Sequence, residues 1–171
     1  AWGNLANAYL QLGKTQEAEI SIRKSIDLNP NFFNSHFLLG RILVGQKKLK
    51  EAELSIRKAI KLKPDFAKAY SNLGDILRGL GKLQEAELST RKAIEVNPDY
   101  AEAHYNLGVI LSDLKKLDNA ISNFEKASEL GMENKLCLTG IGDILLEQGK
   151  HAEGISKLKA GQGRIKFSLK Q

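Results

Sequence analysis

The chain has 171 residues, 42% of them hydrophobic and 27% charged, with a net charge of +6. Its single cysteine, Cys137, excludes an intrachain disulfide and a multi-cysteine metal site. No apolar run approaches the roughly 20 residues of a membrane-spanning helix, and the opening AWGNLANAYLQLG does not have the layout of a signal peptide, so a soluble cytoplasmic protein is expected.

A period of 34 residues organises the sequence. Asn4, Asn72 and Asn106 fall on one grid, and so do Leu5, Leu39, Leu73, Leu107 and Ile141. Ala18, Ala52, Ala86 and Ala120 form another, and Pro30, Pro64 and Pro98 a third. The first repeat, 1–32, carries Trp2 and Tyr9 in one helical run, Gly13 at a turn, Ala18 and Ile22 in a second run, and Asn29-Pro30 at the exit. Trp2 reads as core. The second repeat, 33–66, has His36 where Trp2 stood and Lys47 where the first, third and fifth repeats turn on glycine. In the third, 67–100, Tyr70, Leu73, Ile76, Leu77 and Leu80 recur at three- and four-residue steps, and Leu83, Ala86, Leu88, Ala93, Ile94 and Val96 follow as a second apolar run. Gly81 sits between the runs, where a residue tolerant of positive φ ends one helix and lets the chain fold back. Pro98 closes the second run, because proline disfavours helical geometry in the residue before it.

The fourth repeat, 101–134, keeps Leu107-Gly108 and places His104 in the register of His36, but Gly131-Met132 replaces the Asn-Pro exit. The fifth, 135–160, is eroded, with Gly154 and Gly161 where alanine is expected. Each glycine costs about 1 kcal/mol relative to alanine inside a helix, so the last helix is expected to end early and Gly154→Ala and Gly161→Ala to stabilise it. Residues 161–171 leave the repeat: Ile165, Phe167 and Leu169 alternate with polar residues, which suits a strand or the start of a further domain. The spacing predicts helix pairs at 1–12 and 16–29, 34–46 and 50–62, 68–80 and 84–96, 102–114 and 118–130, and 136–148 and 152–160. The chain opens without methionine, at the third position of its first repeat, which suggests a piece of a longer protein.

Trp2-x2-Leu5-Ala6-x2-Tyr9 with Ala18-x3-Ile22 and Pro30, and Tyr70-x2-Leu73-Gly74-x2-Leu77 with Ala86-x3-Thr90 and Pro98, closely resemble the tetratricopeptide repeat (TPR) pattern. The resemblance covers residues 1–160 and implies an all-α fold, a right-handed superhelical solenoid of antiparallel helix pairs. It also implies that the first helix of each pair lines a concave groove for a peptide or protein segment. The groove residues carried over are Asn4 and Asn7, Phe37 and Arg41, Lys68, Asn72, Asp75 and Arg78, and Tyr105 and Asn106. Two family binding modes bear on this set. A carboxylate clamp is disfavoured, because Gly3 and Leu38 occupy clamp positions and Lys68-x3-Asn72 lacks the arginine. An asparagine ladder fits Asn4, Asn72 and Asn106, with Leu38 and Gly140 breaking it; an amide offers both donor and acceptor to a peptide backbone.

The charge is local. Eight Lys and Arg stand against three Asp and Glu over 33–66, and three against six over 101–134. The pairs Arg23-Lys24, Arg57-Lys58 and Arg91-Lys92 are each preceded by Glu19, Glu53 or Glu87 four residues before the arginine, the order that favours an ion pair along a helix. With no aromatic platform among these cations, nucleic-acid binding is not expected. No phosphate loop, activated nucleophile or histidine cluster is present, so neither catalysis nor a cofactor is expected. The leading expectation is a protein-interaction scaffold. The alternatives are a recruiting module of a larger enzyme of glycosyltransferase, methyltransferase or oxygenase type, and a scaffold that self-associates through its terminal repeats.

Overall fold

The computed structural model describes residues 2–162. Ten α-helices account for the repeats: α1 (Trp2–Gln11), α2 (Thr15–Leu28), α3 (Phe33–Gly45), α4 (Leu49–Leu62), α5 (Ala67–Gly79), α6 (Leu83–Val96), α7 (Ala101–Asp113), α8 (Leu117–Glu129), α9 (Asn134–Glu147) and α10 (His151–Gln162). No strand occurs among the described residues, so the fold is all-α, built of helical hairpins. Every predicted helix boundary lies within two residues of the observed one. The exception in kind is α10, which was expected to stop early and instead runs to Gln162, through Gly154 and Gly161. The strand predicted around Ile165, Phe167 and Leu169 lies outside the described residues.

The turn inside each hairpin explains the spacing. Gly81 has φ 76°, its N–H bonds the Arg78 carbonyl at 2.9 Å, and the next N–H, of Lys82, reaches back to the Leu77 carbonyl at 2.9 Å. Those two bonds close the end of α5 as a Schellman motif. Lys82 is at once the residue after that motif and the N-cap of α6. Lys14, Lys48 and Lys116 repeat this double position, and none of the four uses a side-chain cap. Lys47 and Lys115 occupy the left-handed position that glycine takes elsewhere, at φ 62° and 61°.

The hairpins close on a second recurrent contact. A Cβ placed on Gly40 would lie 2.5 Å from Ile56 Cδ1, on Gly74 2.0 Å from Thr90 Oγ1, on Gly108 2.9 Å from the Phe124 ring, and on Gly142 2.7 Å from Leu158 Cγ. The small residue of each first helix therefore receives the bulky residue of its partner helix. Thr90, fully buried, satisfies its hydroxyl by donating to the Ala86 carbonyl at 2.9 Å.

The described residues divide into two compact units after Pro98. In the first, α1 to α6 pack as three hairpins around Ile22, Ile42, Leu43, Ile56, Ile76 and Leu77, each at most 2% exposed. Burying each such side chain contributes roughly 1.5–3 kcal/mol. The joints between these hairpins carry a charge clasp. Glu19 accepts from Arg23 Nε at 2.9 Å in its own helix and from Gln46 Nε2 at 2.8 Å in the next hairpin. Glu53 likewise accepts from Arg57 Nε at 2.9 Å and from Lys82 Nζ at 3.0 Å. In the second unit α7 to α10 form two hairpins around Ile110, Leu111 and Ile144, and Asp118 accepts from Gln148 Nε2 at 3.0 Å.

The clasp reverses an expectation for the second helices. Leu88 was read with the apolar run, yet it is 70% exposed, as is Leu54 (70%), and Ile20 is 58% exposed. The neighbouring carboxylates Glu19, Glu53 and Glu87 take the inner position, because each binds its own arginine there and the first two also reach the following hairpin.

Candidate functional site

The first helices of adjacent hairpins touch within each unit, α3 with α5 and α7 with α9, so each unit presents a face built of first helices. On α5, Lys68, Asp75 and Arg78 are exposed and Asn72 is half-buried. Their steps of four, three and three residues align them in one stripe, opposite the buried Leu73, Ile76 and Leu77. On α3 Arg41 is exposed, and on α1 Asn4 and Asn7 are exposed.

Phe37 departs from the expected groove position. It is 8% exposed, with its ring centroid 4.8 Å from that of Phe66, which in turn lies 5.2 Å from Phe33. The helical register does place it one turn from Arg41, but the aromatic N-cap residue of α5 covers it. Trp2 is half-buried rather than core, and Lys24 Nζ lies 4.7 Å over its ring. His36 joins the repeat exit to α3 through a 2.7 Å hydrogen bond with the Pro30 carbonyl. Asn72 spends one amide hydrogen on its own helix, donating to the Lys68 carbonyl at 2.9 Å, so its Oδ1 and second hydrogen are what it offers outward.

In the second unit Tyr105 and Asn106 are half-buried on α7. The Tyr105 ring is tilted 55° to that of Phe124 with the centroids 5.4 Å apart, and Tyr105 lines a hollow of about 560 Å³ between α7 and α9, together with Lys135, Leu136, Thr139, Gly140 and Asp143. Gly140 stands where the asparagine ladder would continue, and a Cβ there would lie 2.8 Å from the Phe124 ring. The ladder is thus interrupted for a packing reason. Thr139 and Asp143 went unread in the sequence although Thr139 is one period after Tyr105, because glycines made the fifth repeat look eroded.

The perturbed acids belong to the clasp. The Gln46 hydrogen bond, helped by Arg23 and Lys48, holds the Glu19 carboxyl below the usual carboxylate value against the opposing effect of burial. For Glu53 burial pushes upward, but the bonds from Lys82 and Arg57 together outweigh it and the pKa is lowered. Burial pushes the Cys137 thiol up, away from the reactive thiolate form. Among the described residues no group of three or more His, Cys, Asp or Glu is placed to hold a metal ion, and no helix is long and apolar enough to cross a membrane.

Family models described as tetratricopeptide repeat match residues 1–32 and 101–130, 33–66, and 56–87, and one described as TPR repeat matches 74–114. The chain belongs to the tetratricopeptide repeat family. Among solved structures the TPR array is similar to MamA, with 24% identity, 91% of both chains covered and a TM-score of 0.80. It is also similar to PilF of Pseudomonas aeruginosa, with 23% identity, 96% of this chain and 76% of that chain covered and a TM-score of 0.84. YrrB, described as a TPR protein with an unusual peptide-binding site, matches at 21% identity over 94% of this chain and 84% of its own, with a TM-score of 0.75. At these identities the likeness is one of fold. No curated protein matches the TPR array by sequence.

Proposed function

We propose that this TPR array is a non-catalytic scaffold that takes up a protein segment on its first-helix faces. The observation that carries the reading is the hollow beside Tyr105, about 560 Å³ in volume, which sits on the first-helix face of the second unit and has an aromatic side wall with Lys135 and Asp143 at its edge. A shallow pocket of that kind accepts an apolar side chain while the charged edge fixes orientation. In the first unit the exposed Arg41, Lys68 and Arg78 attract acidic side chains, and the outward atoms of Asn72 pair with a peptide backbone. The presence in the fold family of YrrB, described by its peptide-binding site, is in keeping with this role. The test is affinity capture of partners with the wild-type array, with Asn72→Ala and with Tyr105→Ala. Capture weakens in both variants while helical content is retained if the reading is right; a partner retained equally by all three forms overturns it.

A further inference from the structure

The second-helix side of the first unit carries a recess that the proposed groove does not use. It has a volume of about 470 Å³ and opens between α4 and α6 over α5, with Ile60, Leu73, Leu77 and Leu88 as its apolar walls and Tyr70 beside them. Leu88 is the 70% exposed leucine that the carboxylate Glu87 displaced from the inner position, so the recess has a large apolar side chain standing at its mouth in water. Three cations, Arg57, Lys61 and Lys92, surround it, against one carboxylate, Glu85, which Arg57 Nη2 already holds at 3.2 Å. Lys92 is bound by Glu95 at 2.6 Å, and Arg57 also pairs with Glu53. Lys61 forms no ion pair among the described residues, and it lies in the last turn of α4, within the most basic repeat of the chain.

We infer that this recess is a second docking site, for an acidic segment of a partner protein that inserts an apolar side chain against Leu88 and Leu77 and sets a carboxylate on Lys61. The charge decides the occupant. A basic segment meets Lys61 and finds the one lining carboxylate, Glu85, already held by Arg57, whereas an acidic one gains the attraction of Lys61 without displacing any existing pair. The apolar anchor supplies contact area in a pocket, and the charged rim supplies selection among anchors.

The test selects random 12-residue peptides displayed on phage against the array, then measures the selected synthetic peptides by fluorescence anisotropy on the wild type, Leu88→Asp, Lys61→Glu and Asn72→Ala. Leu88 and Lys61 are exposed, so both variants keep the packed interior, which circular dichroism verifies. The inference predicts a class of peptides enriched in Asp and Glu around Leu, Ile, Met or Phe that loses at least tenfold in affinity on Leu88→Asp and on Lys61→Glu. The same class is unaffected by Asn72→Ala and binds more weakly as salt is raised. It is overturned if no such class emerges, if the selected peptides ignore Leu88→Asp, or if sedimentation shows a dimer of the array that Leu88→Asp dissolves. Loss of binding on Asn72→Ala alone supports the first-helix face and overturns this site, so the two proposals fail separately.

Discussion

Gly154 shows how a residue's helix propensity and its packing pull in opposite directions. Propensity alone favours alanine there by about 1 kcal/mol. However, a Cβ on Gly154 would lie 2.9 Å from Leu146 Cγ and 3.0 Å from the Gly142 carbonyl oxygen, and one on Gly161 would lie 3.0 Å from the Lys135 carbonyl oxygen. Backbone at that distance cannot rotate away, and overpacking of this kind costs roughly 1–3 kcal/mol. Gly154→Ala therefore destabilises the chain by about 1 kcal/mol net, which urea unfolding measures; a gain in stability contradicts the close packing of α9 on α10. Lys47 presents the converse case, an exposed lysine at φ 62° whose side chain makes no hydrogen bond or ion pair among the described residues. Lys47→Gly relieves the left-handed strain and raises stability by about 0.5–1 kcal/mol in the same assay. Lys115 is a poorer test, since its ammonium also pairs with Glu147 across the hairpins of the second unit.

Among the elements, the joints between hairpins depend on carboxylates as well as on apolar packing. Glu53 is 13% exposed at its side chain and holds Arg57 of α4 and Lys82 at the start of α6. Its folded pKa lies below the ordinary 4.5, so the carboxylate contributes stability that is fully present above that value and is lost as pH falls through the folded pKa. Glu19 follows the same sign. Glu53→Gln is expected to cost about 1–2 kcal/mol at neutral pH and progressively less as the medium is acidified below about pH 4.5. Parallel urea titrations of wild type and variant across that range check this, and a difference that stays constant with pH argues against the clasp. This element also marks where the sequence was legible. The period, the glycine turns and the proline exits placed the ten helices within two residues, because turn chemistry is local. The exchange of Glu19 with Ile20, and of Glu53 with Leu54, was not legible, since adjacent residues differ by one step around a helix and only the neighbouring hairpin decides which one turns inward. The burial of Phe37 was not legible for a related reason: its cover, Phe66, is the N-cap residue of α5, the first helix of the next hairpin.

At the scale of the whole molecule, tandem repetition gives the chain surfaces of two kinds, first-helix faces with polar stripes and second-helix faces with exposed leucines. The candidate residues Asn4, Asn7, Arg41, Lys68, Asn72, Asp75 and Arg78 could be proposed from the sequence because the family register is itself periodic, whereas Thr139, Lys135 and Asp143 became candidates only once the fifth hairpin was seen to be intact. The central claim is that the first-helix faces receive the partner, and hydrogen–deuterium exchange of the array with and without a partner whose capture Tyr105→Ala weakens tests it most directly. The account predicts slowed exchange in α5 and in the segment of α9 around Thr139, with α2, α4 and α6 unchanged at saturating partner. Protection confined to α4 and α6, with α5 and α9 exchanging as in the free array, contradicts it.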